Sequence, residues 1–172
     1  MKLADRILRQ LTQVRDMSDK LLEAFQSPED WTHQLAPGTN HALWFAGHMA
    51  ASDNWMISMV APERAKQMDE WNALFGTGSQ PTSDPDNYPP PAEVLDAMRE
   101  RRGVLIELLK GSSDKELAKA SPEAILDFCP DYGAIFESTA WHEALHAGQV
   151  TLIRRALGHA PLFSAAPAET SS

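Results

Sequence analysis

Two histidines, His142 and His146, stand four positions apart in a stretch whose composition favours a helix. Residues i and i+4 lie one turn apart on the same helical face, so both imidazoles can bind one metal ion. This spacing supplies half of a metal site. A complete site therefore needs at least one further ligand from elsewhere in the chain.

The letters His-Glu-Ala-Leu-His at 142–146 also match a zinc-protease motif, in which Glu143 would act as general base on a metal-bound water. The extended motif needs a glycine and a further histidine downstream, but Gln149 and Leu152 occupy those positions. The other branch needs a downstream glutamate, and Glu169 lies in the polar C-terminal end. No strand alternation indicates the sheet edge that holds a protease substrate. A metal-dependent hydrolase is therefore the third-ranked hypothesis.

The candidate for the third ligand is His48, which lies in an apolar segment predicted to be helical. Trp44 and Trp55 share its helical stripe, so we expect His48 to point inward. Two inward stripes can converge in a helical bundle, where metal sites are commonly built. Three histidines with a fourth position left to water make an open, reactive site. The alternative is a set of independent core histidines, while His41 is expected to be exposed or to cap its helix.

The composition is that of an ordinary globular domain, with 43% hydrophobic and 23% charged residues in 172. It predicts one domain over 1–160 and a flexible tail over 161–172. The net charge of −9 argues against binding to nucleic acid or to an anionic membrane. Cys129 is the only cysteine, which favours a reducing compartment and a buried structural role for this residue. With no signal peptide or spanning segment evident, we expect a cytoplasmic protein.

Four long helices are predicted to position the three histidines. They run over about 2–26, from Asn40 as N-cap to about Val60, over about 92–110, and from Asp131 or Tyr132 to Leu157. The stretch 61–91, with one short helix at 69–75, is long for a link between antiparallel neighbours and suits a crossover between parallel helices. The predicted fold is therefore all-α, a four-helix bundle with a long crossover between helices two and three.

The residues around the three histidines resemble the DinB/YfiT-like superfamily. The resemblance rests on 43–50 around His48, on 142–149, and on the ending 153–158, and it covers nearly the whole chain. It implies a four-helix bundle in which His48, His142 and His146 bind one divalent metal, zinc or nickel being the leading choices. It also implies frequent homodimers.

Characterised relatives of that superfamily use the metal with low-molecular-weight thiols such as bacillithiol or mycothiol. The resemblance therefore implies a thiol transferase that acts on electrophiles in detoxification or stress response. Arg101 or Arg102 would hold a carboxylate of the thiol, or else extend into water. Glu143 would act around the metal or else be solvated, and Gln149 would bond a metal-bound water. A metal-binding bundle without turnover is the second hypothesis. The expected partners are a small thiol and an electrophile.

Overall fold

The computed structural model describes residues 2–163, and over that range the chain forms seven α-helices and no strand. The helices are α1 (Leu3–Leu22), α2 (Pro28–Trp31), α3 (Ala42–Val60), α4 (Asp69–Phe75), α5 (Pro91–Gly111), α6 (Asp114–Leu117) and α7 (Tyr132–Ala156). The all-α prediction is confirmed, and the four predicted long helices correspond to α1, α3, α5 and α7. Among these described helices, none is both long and apolar enough to cross a membrane. The tail expected at 161–172 lies almost wholly outside the described residues.

Side-chain caps determine several helix starts. Ser27 and Asp131 each accept a backbone N–H at the start of α2 and α7, as residues with short polar side chains commonly do. The predicted Asn40 cap is wrong by one residue, because the N-cap of α3 is His41. Its Nδ1 accepts the backbone N–H of Trp44 at 3.0 Å, and the side chain is buried. Of the two expected roles of His41, capping its helix is therefore confirmed, and exposure to solvent is wrong.

The long helices pack around two apolar clusters. α3 packs mainly against α5, and α1 against α7, while α3 also contacts α7. One cluster contains Leu21, Phe45, Met98 and Val150. The other contains Ile7, Ile57, Leu105 and Ile135. Each long helix thus contributes to both clusters, at positions separated by its middle turns.

Those middle turns carry a charged ring of four residues, Arg15, Asp53, Arg102 and Glu143, one from each long helix. All four side chains are buried. Arg15 donates to Glu143 at 2.8 and 3.2 Å and lies 3.5 Å from Asp53. Arg102 donates to both oxygens of Asp53, at 2.8 and 3.0 Å, and contacts Glu143 at 2.7 Å. Two cations and two anions therefore close a ring without net charge between the apolar clusters.

Candidate metal centre

The three histidines meet between α3 and α7. His48 Nε2 lies 3.4 Å from His142 Nε2, and one nitrogen from each ring, including that of His146, lies within 4.8 Å of the others. The ring centroids are 4.7 to 5.1 Å apart. The structure thus brings together the three residues that the sequence singled out. Imidazole nitrogens at such separations can converge on one divalent ion, so the donor set fits a metal.

Hydrogen bonds on the far side of two rings orient them for this role. Nδ1 of His48 lies 2.8 Å from the backbone carbonyl oxygen of Phe75, an acceptor only, so this nitrogen carries the proton. Nδ1 of His146 lies 3.3 Å from Oε1 of Gln149, which also accepts from Asn40 Nδ2 at 3.1 Å. Protonation at Nδ1 leaves the lone pair on Nε2. Contacts of this kind fix the tautomer that a metal ligand needs.

The carbonyl behind His48 is delivered by the docking of α4 on α3. Trp71 Nε1 donates to the carbonyl of Gly47 at 2.9 Å, and the Phe75 ring fills the space that a Cβ on Gly47 would occupy. Gly47 thus permits the close approach of α4 to α3. Gly148, beside His146 on α7, has no such role, because it is exposed and its Cβ position faces open space.

The cluster favours neutral imidazoles. The pKa of His48 and that of His142 both fall to about 4, mainly because burial penalises the charged form, with a further contribution from neighbouring histidines. Burial also lowers the pKa of His146. Trp44 stacks on His48, with ring centroids 4.4 Å apart. The three side chains are thus held in the neutral form near neutral pH, which is the form that binds metal.

A cavity of about 610 Å³ adjoins the cluster and is lined by His48 and His142. The connection from α3 to α4 and the side chain of Phe128 form other parts of its wall. Trp55 also lines the cavity and is 42% exposed, so the stripe that it shares with His48 is buried only in part. The volume is typical of a small-molecule site.

Arg101 and Arg102 do not line this cavity. Arg101 is buried, forms an ion pair with Glu100 and donates to Asn54 Oδ1 at 3.2 Å. Arg102 belongs to the charged ring. The expectation that an arginine extends into water is wrong, because both side chains are only 3% exposed. Both guanidinium groups are already engaged by the protein, so neither enters the proposed site.

Glu143 and Gln149 were the two candidates for action around the metal. Glu143 is completely buried, and its carboxylate is held by Arg15 and Arg102, so the alternative of a solvated side chain is wrong. Burial alone would raise the pKa of Glu143, but Arg102 and Arg15 outweigh that effect and lower it. Gln149 is exposed and bonds a histidine instead of facing the cavity. Its contact therefore orients the cluster.

Sequence reasoning missed the roles of Arg15, Asp53 and the Phe75 carbonyl. A signal existed for Asp53, since it is an ionisable residue within the otherwise apolar α3 and therefore needs a buried partner. Arg15 carried no such signal, because α1 has charged residues along its outer side. A backbone carbonyl carries no sequence signal at all.

The DinB superfamily model matches residues 10–150, a stretch that contains all three histidines. No match is found among curated proteins. The match covers most of the chain and confirms the resemblance inferred from the histidine segments. The chain belongs to the DinB superfamily.

Proposed function

We propose that this member of the DinB superfamily is a divalent-metal-dependent transferase that joins a low-molecular-weight thiol to an electrophile. The observation that carries the proposal is the convergence of three neutral histidines at the wall of a small-molecule cavity. His48, His142 and His146 would hold the metal, with zinc or nickel as leading choices. When bound, such an ion lowers the pKa of a thiol that it contacts.

The protein's own groups contribute orientation and shape. The Phe75 carbonyl and the Gln149 amide hold two imidazoles with their Nε2 lone pairs directed into the cluster. The cavity leaves room for both reactants beside His48 and His142. In the overall reaction the thiol sulfur forms a bond to the electrophilic carbon, the leaving group departs with its bonding electrons, and the thiol proton passes to solvent.

We propose that the long helices form the predicted four-helix bundle with a crossover. The N-terminal halves of α3 and α5 contribute to one apolar cluster and their C-terminal halves to the other, which supports parallel directions. The connection through α4 is the proposed crossover, and it carries Phe75 to His48. We also propose, as the sequence suggested, that the protein is a cytoplasmic homodimer and that its partners are small molecules.

A metal-binding protein without turnover is the second candidate. It is favoured by the position of Glu143, because the carboxylate next to the ligand pair is sequestered by two arginines and cannot take a proton from a bound molecule. The same contact weighs against a hydrolase that uses Glu143 as general base. Thiol transfer needs no such base when the thiol is already ionised.

Metal content and conjugate formation test the proposal. We expect about one zinc or nickel ion per chain in the purified protein. His48→Ala, His142→Ala and His146→Ala should each lose most of the metal, whereas His159→Ala, a histidine outside the cluster, should keep it. Elemental analysis gives the readout. A protein without stoichiometric metal, or with metal retained in all three variants, would overturn the site.

Given a metal, the protein should couple a thiol to monochlorobimane and release chloride. We expect the fluorescent conjugate to disappear after chelation and in the three variants that lose metal. The thiols to be compared are glutathione, bacillithiol and mycothiol. Stoichiometric metal without a metal-dependent conjugate for any of them would favour the protein without turnover.

A further inference from the structure

A short helical segment docks behind one of the three histidines. We call residues 69–79 the strap, which comprises α4 and the loop that follows it. We propose that docking of the strap and binding of a divalent ion at the histidines stabilise each other, with Trp71 and Phe75 as positioning residues for His48. The inference rests on the metal site of the proposed function and not on thiol transfer.

The strap depends on tertiary contacts for its structure. α4 has seven residues, whereas an isolated helix needs about 12–15 residues to be even marginally stable in water. Among the described contacts, its N-cap Met68 makes no side-chain cap hydrogen bond. α4 packs mainly on α3, which is the helix that carries His48. The contacts with α3 therefore decide whether the strap is docked.

The contacts between α4 and α3 converge on His48 and the residue before it. Nδ1 of His48 donates to the carbonyl oxygen of Phe75 at 2.8 Å. Nε1 of Trp71 donates to the carbonyl oxygen of Gly47 at 2.9 Å, and the completely buried Phe75 ring covers Gly47. The metal ligand is thus itself one of the groups that hold the strap in place.

Trp44 ties the far end of the strap to the same ligand. Its Nε1 donates to Oγ of Ser79 at 2.8 Å. Its ring stacks on the imidazole of His48, with centroids 4.4 Å apart. The loop after α4 and the ring of His48 therefore share a partner, so the position of one restrains the other.

The tautomer of His48 provides the physical link between strap and metal. A neutral imidazole carries a proton on only one of its nitrogens. With the proton on Nδ1, His48 bonds the Phe75 carbonyl and presents the Nε2 lone pair to the cluster. With the proton on Nε2, two lone pairs would face each other at Phe75, and the metal would lose its donor atom.

Each partner therefore selects the state of His48 that the other requires. A docked strap favours the tautomer that binds metal, and a bound ion favours the tautomer that holds the strap. By linkage, docking must raise the metal affinity by the same factor by which the metal raises the docking equilibrium. Contacts behind a metal-binding histidine typically change metal affinity by about 10–100-fold.

The coupling extends to the cavity, because the strap forms part of its wall. Asp69, Asn72, Gly76 and Thr77 all line the cavity. Release of the strap would remove this side of the wall, so the cavity is complete only in the docked state. Metal binding would thus prepare the cavity for a small molecule, and a metal-free protein would hold that molecule less well.

Hydrogen exchange of the full-length protein, measured with and without zinc, tests the coupling. The amides of Asn72 and Gly76 are bonded within the α4 region at 2.7 and 2.8 Å, so they exchange when α4 opens. We expect zinc to slow exchange in peptides that cover the strap by at least about fivefold. The short helix α6, which belongs to the other apolar cluster, is the internal control and should change less than about twofold.

The two ways of failing are distinct. If zinc binds and the strap exchanges at the same rate with and without it, the inference is wrong while the proposed function stands. If zinc does not bind, the metal site and the proposed function fail.

Gly47→Ala tests the coupling in the reverse direction. The added Cβ would collide with the Phe75 ring and displace the strap, whereas alanine favours the helical backbone of α3. We expect zinc affinity to fall by about tenfold, measured by competition with a zinc-binding dye. Gly148→Ala is the matched control on α7, because its Cβ would meet open space, and it should keep the affinity within about twofold.

Trp71→Phe is a milder second variant. It removes the donor to Gly47 but keeps an aromatic ring beside Phe75, whose centroid lies 4.9 Å from that of Trp71. We expect about a threefold loss of zinc affinity. In Gly47→Ala, saturating zinc should no longer slow exchange of the strap. Wild-type zinc affinity in both variants would overturn the inference.

Discussion

The charged ring and the histidine cluster are both polar groups inside the helical core, and they share α3 and α7, although the ring also takes one residue each from α1 and α5. Glu143 of the ring directly follows His142 of the cluster on α7. The ring is complete in itself, because each carboxylate is held by both guanidinium groups. The cluster is not, because its nitrogens face one another beside a cavity. The ring is internally satisfied, whereas the cluster presents three imidazole nitrogens that can bind a further atom.

The two regions therefore differ in which polar groups of the core are available for function. A buried charge persists only when its partner is in place, so a closed ring indicates a structural role. Imidazole nitrogens that converge at these distances beside a cavity can instead bind one divalent ion.

Breaking the ring should have the largest effect on stability. Glu143→Gln removes one of two carboxylates and leaves Arg15 and Arg102 to share Asp53. We expect the free energy of unfolding to fall by about 3–5 kcal/mol, because a buried cation loses its compensation. Urea denaturation of the metal-free protein measures the change.

Glu137 provides the control on the same helix. It pairs with Arg6 at 3.2 Å, but both side chains are about half exposed. Glu137→Gln should therefore cost less than about 1 kcal/mol. If the two variants unfold at similar urea concentrations, the ring does not have the structural role that distinguishes it from the cluster.

Lowering the pH should affect the histidine cluster and the charged ring differently. The pKa values of His48 and His142 are about 4 in the folded state, below the ordinary value of 6.5, so the unfolded chain takes up protons first as pH falls. Stability of the metal-free protein should decrease from about pH 6.5 towards pH 4. The ring should hold over this window, because the lowered pKa of Glu143 keeps its carboxylate ionised.

We expect the melting temperature of the metal-free protein to drop by several degrees between pH 7 and pH 5. The double variant His48→Gln, His142→Gln should show a smaller drop. A residual dependence should remain, since the pKa of buried His41 is also about 4. A pH dependence that is identical in the double variant would assign the loss to other groups.

The helices and the His142–His146 pair were predictable because both follow from local spacing, and the third ligand, His48, was predictable from its inward-facing stripe together with the family resemblance. Hydrophobic periodicity defines the inner face of each helix, and His48, His142 and His146 lie on such faces. Helix starts followed from caps such as Ser27 and Asp131, each within three residues of its bonding partner. Contacts between residues so close in the chain can be predicted from the sequence alone.

The contacts that form the charged ring and those that orient the histidines were not predictable, because they depend on how the helices are rotated against one another. An arginine such as Arg102 in the middle of a long helix fits a solvated face as well as a buried ring. The Phe75 carbonyl reaches His48 only because α4 docks at Gly47. Trp55 shares the stripe of His48 but lines the cavity and stays partly exposed.

A smaller change is expected at Gln149, at the edge of the histidine cluster. Gln149→Leu removes the oxygen that accepts from His146 and from Asn40. Partners of this kind contribute about 10–100-fold to metal affinity, and we expect about tenfold here, because Gln149 is exposed and water can replace its oxygen in part. Gln149→Glu keeps the acceptor and should retain the affinity. Competition with a zinc-binding dye measures it, and the urea midpoint of the metal-free protein should not move. An unchanged affinity in Gln149→Leu, alongside a loss in His146→Ala, would show that water alone orients this ligand.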